Sequence, residues 1–290
     1  MNELFNNLSQ DQANTCGLIL TSSGIIYHVR RGEGGWDILV EDHDLAKAIQ
    51  TINQYFEENR DAPSIPVMSR EGWKWGLPGG VAAFFLILSH IFVMMNDKSD
   101  FIQAFGASAD HMVKGEVYRS VTSLFLHSNG LHLLSNGVCI VIFAGAVCRV
   151  MGWGVGGFAI LFSGALGNFL NALLHKTGHV SIGASTAVFG AIGILSGYGF
   201  LEKLWITGRR VKSWAPLAAG IALLGFLGAG ENSDLIAHLM GFLSGTMIGV
   251  LYAYLIKQPL TGKTQFCFLI ATACIILISL IKGAKAYLEI

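Results

Sequence analysis

This chain has little charge. Only 13% of its 290 residues are Asp, Glu, Lys or Arg and 52% are hydrophobic, whereas an ordinary soluble domain carries about 25% charged residues. Proline is scarcer still, with five residues against thirty-six glycines, a balance that suits close helix packing in lipid better than a loop-rich soluble protein. Lys plus Arg equals Asp plus Glu at 19 each. No basic stretch alternates with aromatics, so a nucleic-acid partner is not expected. The five cysteines (Cys16, Cys139, Cys148, Cys267, Cys274) show no CxxC and no metal-ligand spacing. Four of them lie in apolar segments and read as small core residues. HExxH is missing as well, so neither a metal nor an organic cofactor is implied. The opening Met1-Asn2-Glu3-Leu4 lacks a basic stretch followed by an apolar run, so no cleavable signal peptide is expected and insertion rests on internal spans.

What is present divides the chain. Short β-prone runs at Leu18 to Leu20, Ile25 to Val29 and Trp36 to Val40 alternate with Ser- and Gly-rich turns. Asp44 is placed to cap a helix whose apolar residues Leu45, Ile49, Ile52 and Phe56 share one face. Residues 1–62 are therefore expected to form a small soluble α+β domain, with 63–74, around Pro63 and Pro66, as a linker. His28 and His43 read as ordinary surface or strand residues. Apolar spans follow at 75–95, 121–148, 153–174, 185–202, 214–230, 234–256 and 264–281. With flanking residues each reaches across about 30 Å of hydrocarbon, the fourth being short. The expected fold is an all-α polytopic membrane protein: six helices over 75–256, then a seventh helix and short tail over 257–290.

Charge sets the expected topology. A cytoplasmic N-terminus puts thirteen of the nineteen Lys and Arg residues inside and six outside (Lys98, Lys114, Arg119, Lys176, Lys282 and Lys285), as the positive-inside rule requires. Ser185 then opens the fourth span on the outer side. His238, four residues past Asp234, sits at the outer end of the sixth. An imidazole inside a span is a functional-site hypothesis by default. A helix that starts with its serine also aims free backbone N–H groups at that residue, which suits a developing negative charge.

Spacing suggests that the two residues meet. Ala237, Gly241, Gly245 and Gly249 recur every four residues along span six, as do Ser185, Phe189, Gly193 and Gly197 along span four. Facing ridges of small residues let helix backbones approach closely. In span two, His132 and Asn136 share one helical face, and both can donate hydrogen bonds, as an oxyanion requires. His127 and His132 diverge by about 140° around a helix, which fits no zinc pattern. No Asp or Glu in spans two, four or six is placed to orient His238, so the expectation is a Ser185–His238 dyad rather than a triad.

The set Glu116, Tyr118-Arg119, His127, His132, Asn136, Gly183-Ala184-Ser185 and Ala237 to Gly245, in this order and at these spacings, resembles a rhomboid intramembrane serine protease over roughly residues 75–256. The resemblance implies a six-helix rhomboid-like core that hydrolyses peptide bonds of single-span membrane proteins near the outer membrane face, with no cofactor. Ser185 would be the nucleophile and His238 the base and then the acid. His132, Asn136 and the Ser185 backbone N–H would form the oxyanion hole. His127 matches a second span-two histidine with a structural or water-positioning part, and Gly183 and Gly241 belong to the two catalytic motifs. Phe189 stands where the family often has a tyrosine stacked on the imidazole, and Tyr118 where tryptophan is usual. Thr186, after the nucleophile, replaces a common glycine and is expected to add bulk beside it. Glu116 and Arg119 match a motif in the loop between spans one and two, and span five matches the family's gating helix. The implied partners are single-pass membrane proteins and membrane lipid.

Two other classes compete. One is a catalytically silent rhomboid-like protein that binds membrane clients; such relatives typically lose the serine or histidine, whereas both are kept here. The other is a transporter using His90, His132 and His238 as a polar pathway. Against it, no acidic residue lies deep in any span and no inverted repeat is evident. Compact loops and the lack of a transit peptide point to a bacterial plasma membrane.

Overall fold

The computed structural model describes residues 2–32, 34–59, 76–207, 213–228, 233–256 and 260–289. The chain divides into two units, Met1–Ser69 and Arg70–Ile290. The expected linker at 63–74 lies outside the described residues.

The smaller unit runs β1 (Asn2–Leu8), α1 (Gln10–Ser22), β2 (Tyr27–Arg31), β3 (Trp36–Val40) and α2 (Leu45–Glu58). Its sheet is antiparallel in the order β1-β3-β2, with Tyr27 opposite Val40 and Arg31 opposite Trp36. Two expectations fail here. Leu18 to Leu20 lie in a helix, not a strand, because Ser9 and Gln12 close a capping box: Gln12 N–H donates to Ser9 Oγ at 3.3 Å and Ser9 N–H to Gln12 Oε1 at 2.9 Å. Helical spacing then buries Ala13, Cys16, Ile19 and Leu20 together, overriding the local β preference. Asp44 does precede α2, but its carboxylate faces His43 at 3.4 Å, and among the described residues no backbone N–H caps on it. Only Ala48 and Ile52 of α2 are buried; three strands give too small a face to cover Ile49 and Phe56 as well.

The larger unit is mostly helical. It runs α3 (Leu77–Met94), α4 (Lys98–Phe105), β4 (Ala107–Ser108), α5 (Ala109–Val113), α6 (Arg119–Thr122), α7 (Gly130–Met151), α8 (Trp153–His175), β5 (Val180–Ser181), α9 (Ser185–Thr207), α10 (Ala215–Gly228), α11 (Leu235–Leu255) and α12 (Gly262–Leu288). Six of these, α3, α7, α8, α9, α11 and α12, are long and apolar enough to cross a membrane. The expected fifth span appears as α10, a shorter apolar helix of 14 residues. Its anticipated last residues, 229–230, lie outside the described residues. Span two begins at Gly130 rather than at 121, because Asn129 stops the preceding turn and caps α7, its Oδ1 accepting His132 N–H at 2.8 Å. Span four is not short: α9 has 23 residues.

The ridges on α9 and α11 do face each other. A Cβ added at Gly193 would lie 2.1 Å from the Phe242 carbonyl oxygen, and one at Gly197 2.3 Å from that of Thr246. Across the seam, Gly241, Gly245 and Gly249 would meet the carbonyls of Thr186, Gly190 and Ile194 at 2.3, 2.0 and 2.1 Å. Main chain touches main chain, and only a hydrogen fits between.

Candidate active site

The α9–α11 seam carries the candidate nucleophile and base at its end. Ser185 is the first residue of α9, and His238 lies one turn into α11. Ser185 Oγ is 2.8 Å from His238 Nε2, within the range in which a serine hydroxyl hands its proton to an imidazole. The other ring nitrogen, Nδ1, is 3.2 Å from the Gly228 carbonyl at the end of α10. A carbonyl only accepts, so the proton of a neutral ring sits on Nδ1 and Nε2 offers its lone pair to Ser185. The orienting group that sequence reasoning sought among carboxylates is thus a backbone oxygen, for which no side-chain signal exists. Phe189, one turn after Ser185, covers the ring at a centroid distance of 4.6 Å, and His238 is 5% exposed.

Candidate oxyanion donors lie beside them. Gly183 adopts φ +125, a left-handed conformation that favours glycine, and a Cβ there would sit 2.8 Å from His132 Nε2 and 3.5 Å from Asn136 Nδ2. Both side chains therefore converge on the segment leading into Ser185. Ser128 N–H at 3.5 Å and Ser128 Oγ at 3.0 Å reach His132 Nδ1. A backbone N–H only donates, so Nδ1 accepts and the neutral ring bears its proton on Nε2, facing Gly183. Asn136 is buried, and among the described residues its Nδ2 has no protein partner. The first bond of the α9 ladder is Val188 N–H to Ala184 O, which leaves Ser185 N–H ahead of it. His127 does not reach the Ser185–His238 pair; its Nε2 accepts Ala184 N–H at 3.5 Å and supports the backbone before Ser185.

Comparison with known proteins sharpens this picture. A Rhomboid domain family model matches residues 114–255. Over 142 residues the chain is 30% identical to the rhomboid protein YdcA of Bacillus subtilis (strain 168), covering 48% of this chain and 69% of that one. The chain belongs to the rhomboid family. It is also 31% identical over 153 residues to Rhomboid-like protease 1 of Toxoplasma gondii, covering 51% of this chain and 52% of the relative. With Rhomboid-type serine protease 2 of Emericella nidulans it shares 28% over 148 residues, half of this chain and 29% of the relative. Apart from the Bacillus protein, the match spans about half or less of these curated relatives' length.

Two features of this rhomboid differ from what the sequence led us to expect. Thr186 does not crowd Ser185: it is 2% exposed, and its methyl fills a notch left by Gly167 of α8 and Gly241 of α11. The loop between α3 and α7 is held by more than Glu116 and Arg119. Arg119 Nε donates to Glu116 Oε2 at 2.7 Å and its Nη1 to Gln103 O at 2.6 Å, while His111 Nδ1 is 2.8 Å from Glu116 Oε1. Burial alone would raise the Glu116 pKa, but these donors and the Tyr118 hydroxyl take it down to about 2. Sequence reasoning also missed Ser128, which fixes the His132 tautomer, and the group around Asp234.

Proposed function

We propose that this rhomboid is a serine endopeptidase cutting single-span membrane proteins near the outer face of the membrane. The observation that carries the reading is the 2.8 Å approach of Ser185 Oγ to a His238 ring whose other nitrogen is already committed to Gly228. Ser185 attacks the scissile carbonyl as Nε2 takes its proton. The oxyanion is received by His132 Nε2–H, Asn136 Nδ2–H and Ser185 N–H, each donor being worth roughly 10²–10³ in rate. His238 then protonates the leaving amine and activates the water that frees the acyl group. A helical carbonyl is already hydrogen-bonded, so the substrate must unwind at the cut and helix-weakening residues there are favoured.

In this reading α10 moves sideways to admit the substrate, residues 75–256 form the catalytic core, and 1–62 form a cytoplasmic domain of a bacterial plasma-membrane protein. The test is fluorophosphonate labelling of the detergent-solubilised wild type, Ser185→Ala and His238→Ala. The wild type should label and neither variant should. An unlabelled wild type would overturn the protease reading in favour of a silent binder of membrane proteins.

A further inference from the structure

One turn before His238 lies a group of side chains that the dyad mechanism does not use. Asp234 caps α11, its Oδ1 accepting Ala237 N–H at 3.0 Å, while its main-chain oxygen accepts His238 N–H at 3.0 Å. Its second oxygen, Oδ2, accepts from Asn171 Nδ2 at 2.7 Å and from His179 Nε2 at 2.6 Å. Asn171 belongs to the last turns of α8 and is 1% exposed. His179 stands six residues before Ser185, in the segment that leads through β5 to the nucleophile. Its ring stacks on His175 at 3.9 Å, and His175 Nδ1 in turn is 3.1 Å from the Asn171 carbonyl. The His179 main-chain oxygen accepts Ala109 N–H at 2.9 Å, and Asp110 Oδ2 accepts Gly178 N–H at 3.0 Å, so the loop ahead of α7 holds the same segment.

One carboxylate therefore joins the first turn of the helix that carries the base to the segment that delivers the nucleophile. The 2.8 Å dyad distance depends on two segments 53 residues apart in sequence, and a cap alone fixes only α11. We infer that His179 and Asp234, with Asn171, form a latch that sets the Ser185–His238 alignment, His179 acting as a positioning residue. Burial would raise the Asp234 pKa, but the Ala237 N–H and His179 hold it below the usual carboxylate value, so the acceptor stays ionised near neutrality. Because near-attack geometry tolerates little error, the latch acts on the chemical step rather than on binding.

The inference rests on the protease reading, and the variants separate the two. Asp234→Ser keeps a helix cap but is too short to reach His179 and Asn171. His179→Ala removes the donor, and His179→Gln restores an N–H at about the Nε2 position. In the full chain in detergent, fluorophosphonate labelling of Ser185 should show a maximal rate about tenfold lower in His179→Ala and in Asp234→Ser, with the concentration dependence unchanged. The double variant should be no slower than either single one, and His179→Gln should recover most of the rate. Amide exchange across Asp234 to Gly241 should quicken in His179→Ala. Wild-type labelling in His179→Ala, additive losses in the double variant, or a loss that merely follows the unfolded fraction would overturn the latch. A wild type that does not label overturns the dyad reading instead. Amide exchange then decides the latch alone: faster exchange in His179→Ala supports it, and unchanged exchange removes it.

Discussion

Helices α9 and α12 both span the larger unit, and they are opposites. Among the six long helices α12 is the most apolar and the least buried, with 11% of its apolar stretch inside the protein. Helix α9 is the least apolar and the most buried, at 56%. In water this order would be inverted. In a bilayer, lipid solvates Leu and Ile as well as protein does, so apolar side chains gain little by facing inward, and close packing and hydrogen bonds decide what does. The inner helix is accordingly glycine-lined, whereas the outer helix is anchored at a few points. Gln265 is one of them: its Oε1 accepts Gly154 N–H at 2.9 Å and Val155 N–H at 3.0 Å, and its Nε2 donates to Met151 O at 2.9 Å. It thereby satisfies the last turn of α7 and the first turn of α8 together.

The comparison breaks first at the seam. Gly245→Val places a branched side chain where even a Cβ lies 2.0 Å from the Gly190 carbonyl. Helices α9 and α11 must separate, and Ser185 with them. Fluorophosphonate labelling should fall by at least about 10²-fold, with a lower Tm. Labelling within twofold of wild type would mean that the seam does not set the dyad. The next effect belongs to α12. Gln265→Leu leaves two N–H groups and one carbonyl buried without partners, and should cost about 2–3 kcal/mol in reversible unfolding from mixed micelles.

These two sites also show what a sequence can say. The seam was legible because small residues at four-residue spacing have few other uses in a span, and the polar residues Ser185, His238, His132 and Asn136 stood out against an apolar background. Gln265 was not: one polar residue near a span end looks the same whether it meets water or plugs a turn. The Gly228 carbonyl is carried by every residue type and leaves no mark at all. Length misled at the start of α7, because the apolar run continues through a turn that only the Asn129 cap ends. In the smaller unit, the Ser9–Gln12 capping box was the available signal for α1, outweighed by the β-prone run that followed it.

The far end of α12 offers a weaker hold and a pH test. Gly283 lets the Phe105 ring lie against the helix, and Tyr287 packs against Phe101 with ring centroids 4.7 Å apart. Both phenylalanines belong to α4, which Arg119 ties to Glu116 through Gln103 O. The folded pKa of Glu116 is about 2, below its ordinary 4.5. The ionised carboxylate therefore supports the loop fully above pH 4.5, and that support drains as pH falls toward about 2. Glu116 is 37% exposed, so solvent screening keeps the effect small. Glu116→Gln should lower Tm by about 2–4 °C at pH 7, and the gap from wild type should close as pH falls toward 2. A gap that persists at low pH would assign the loss to packing, not charge.

The smallest effect is the most discriminating. Leu277 lies in α12 and is 59% exposed, a large apolar side chain on the most apolar helix. If burial in protein stabilised α12 as it does a soluble helix, Leu277→Ala would cost 2 kcal/mol or more, as large-to-small changes in cores do, by about that amount. If lipid is its solvent, the methyl groups lost had no protein partner to leave, and the change should stay within about 0.5 kcal/mol. Unfolding measured beside Gln265→Leu in the same micelles reads both. A near-neutral Leu277→Ala with a costly Gln265→Leu means that the seventh helix is held by its polar anchor. The reverse order would mean that a protein surface, rather than lipid, covers this face.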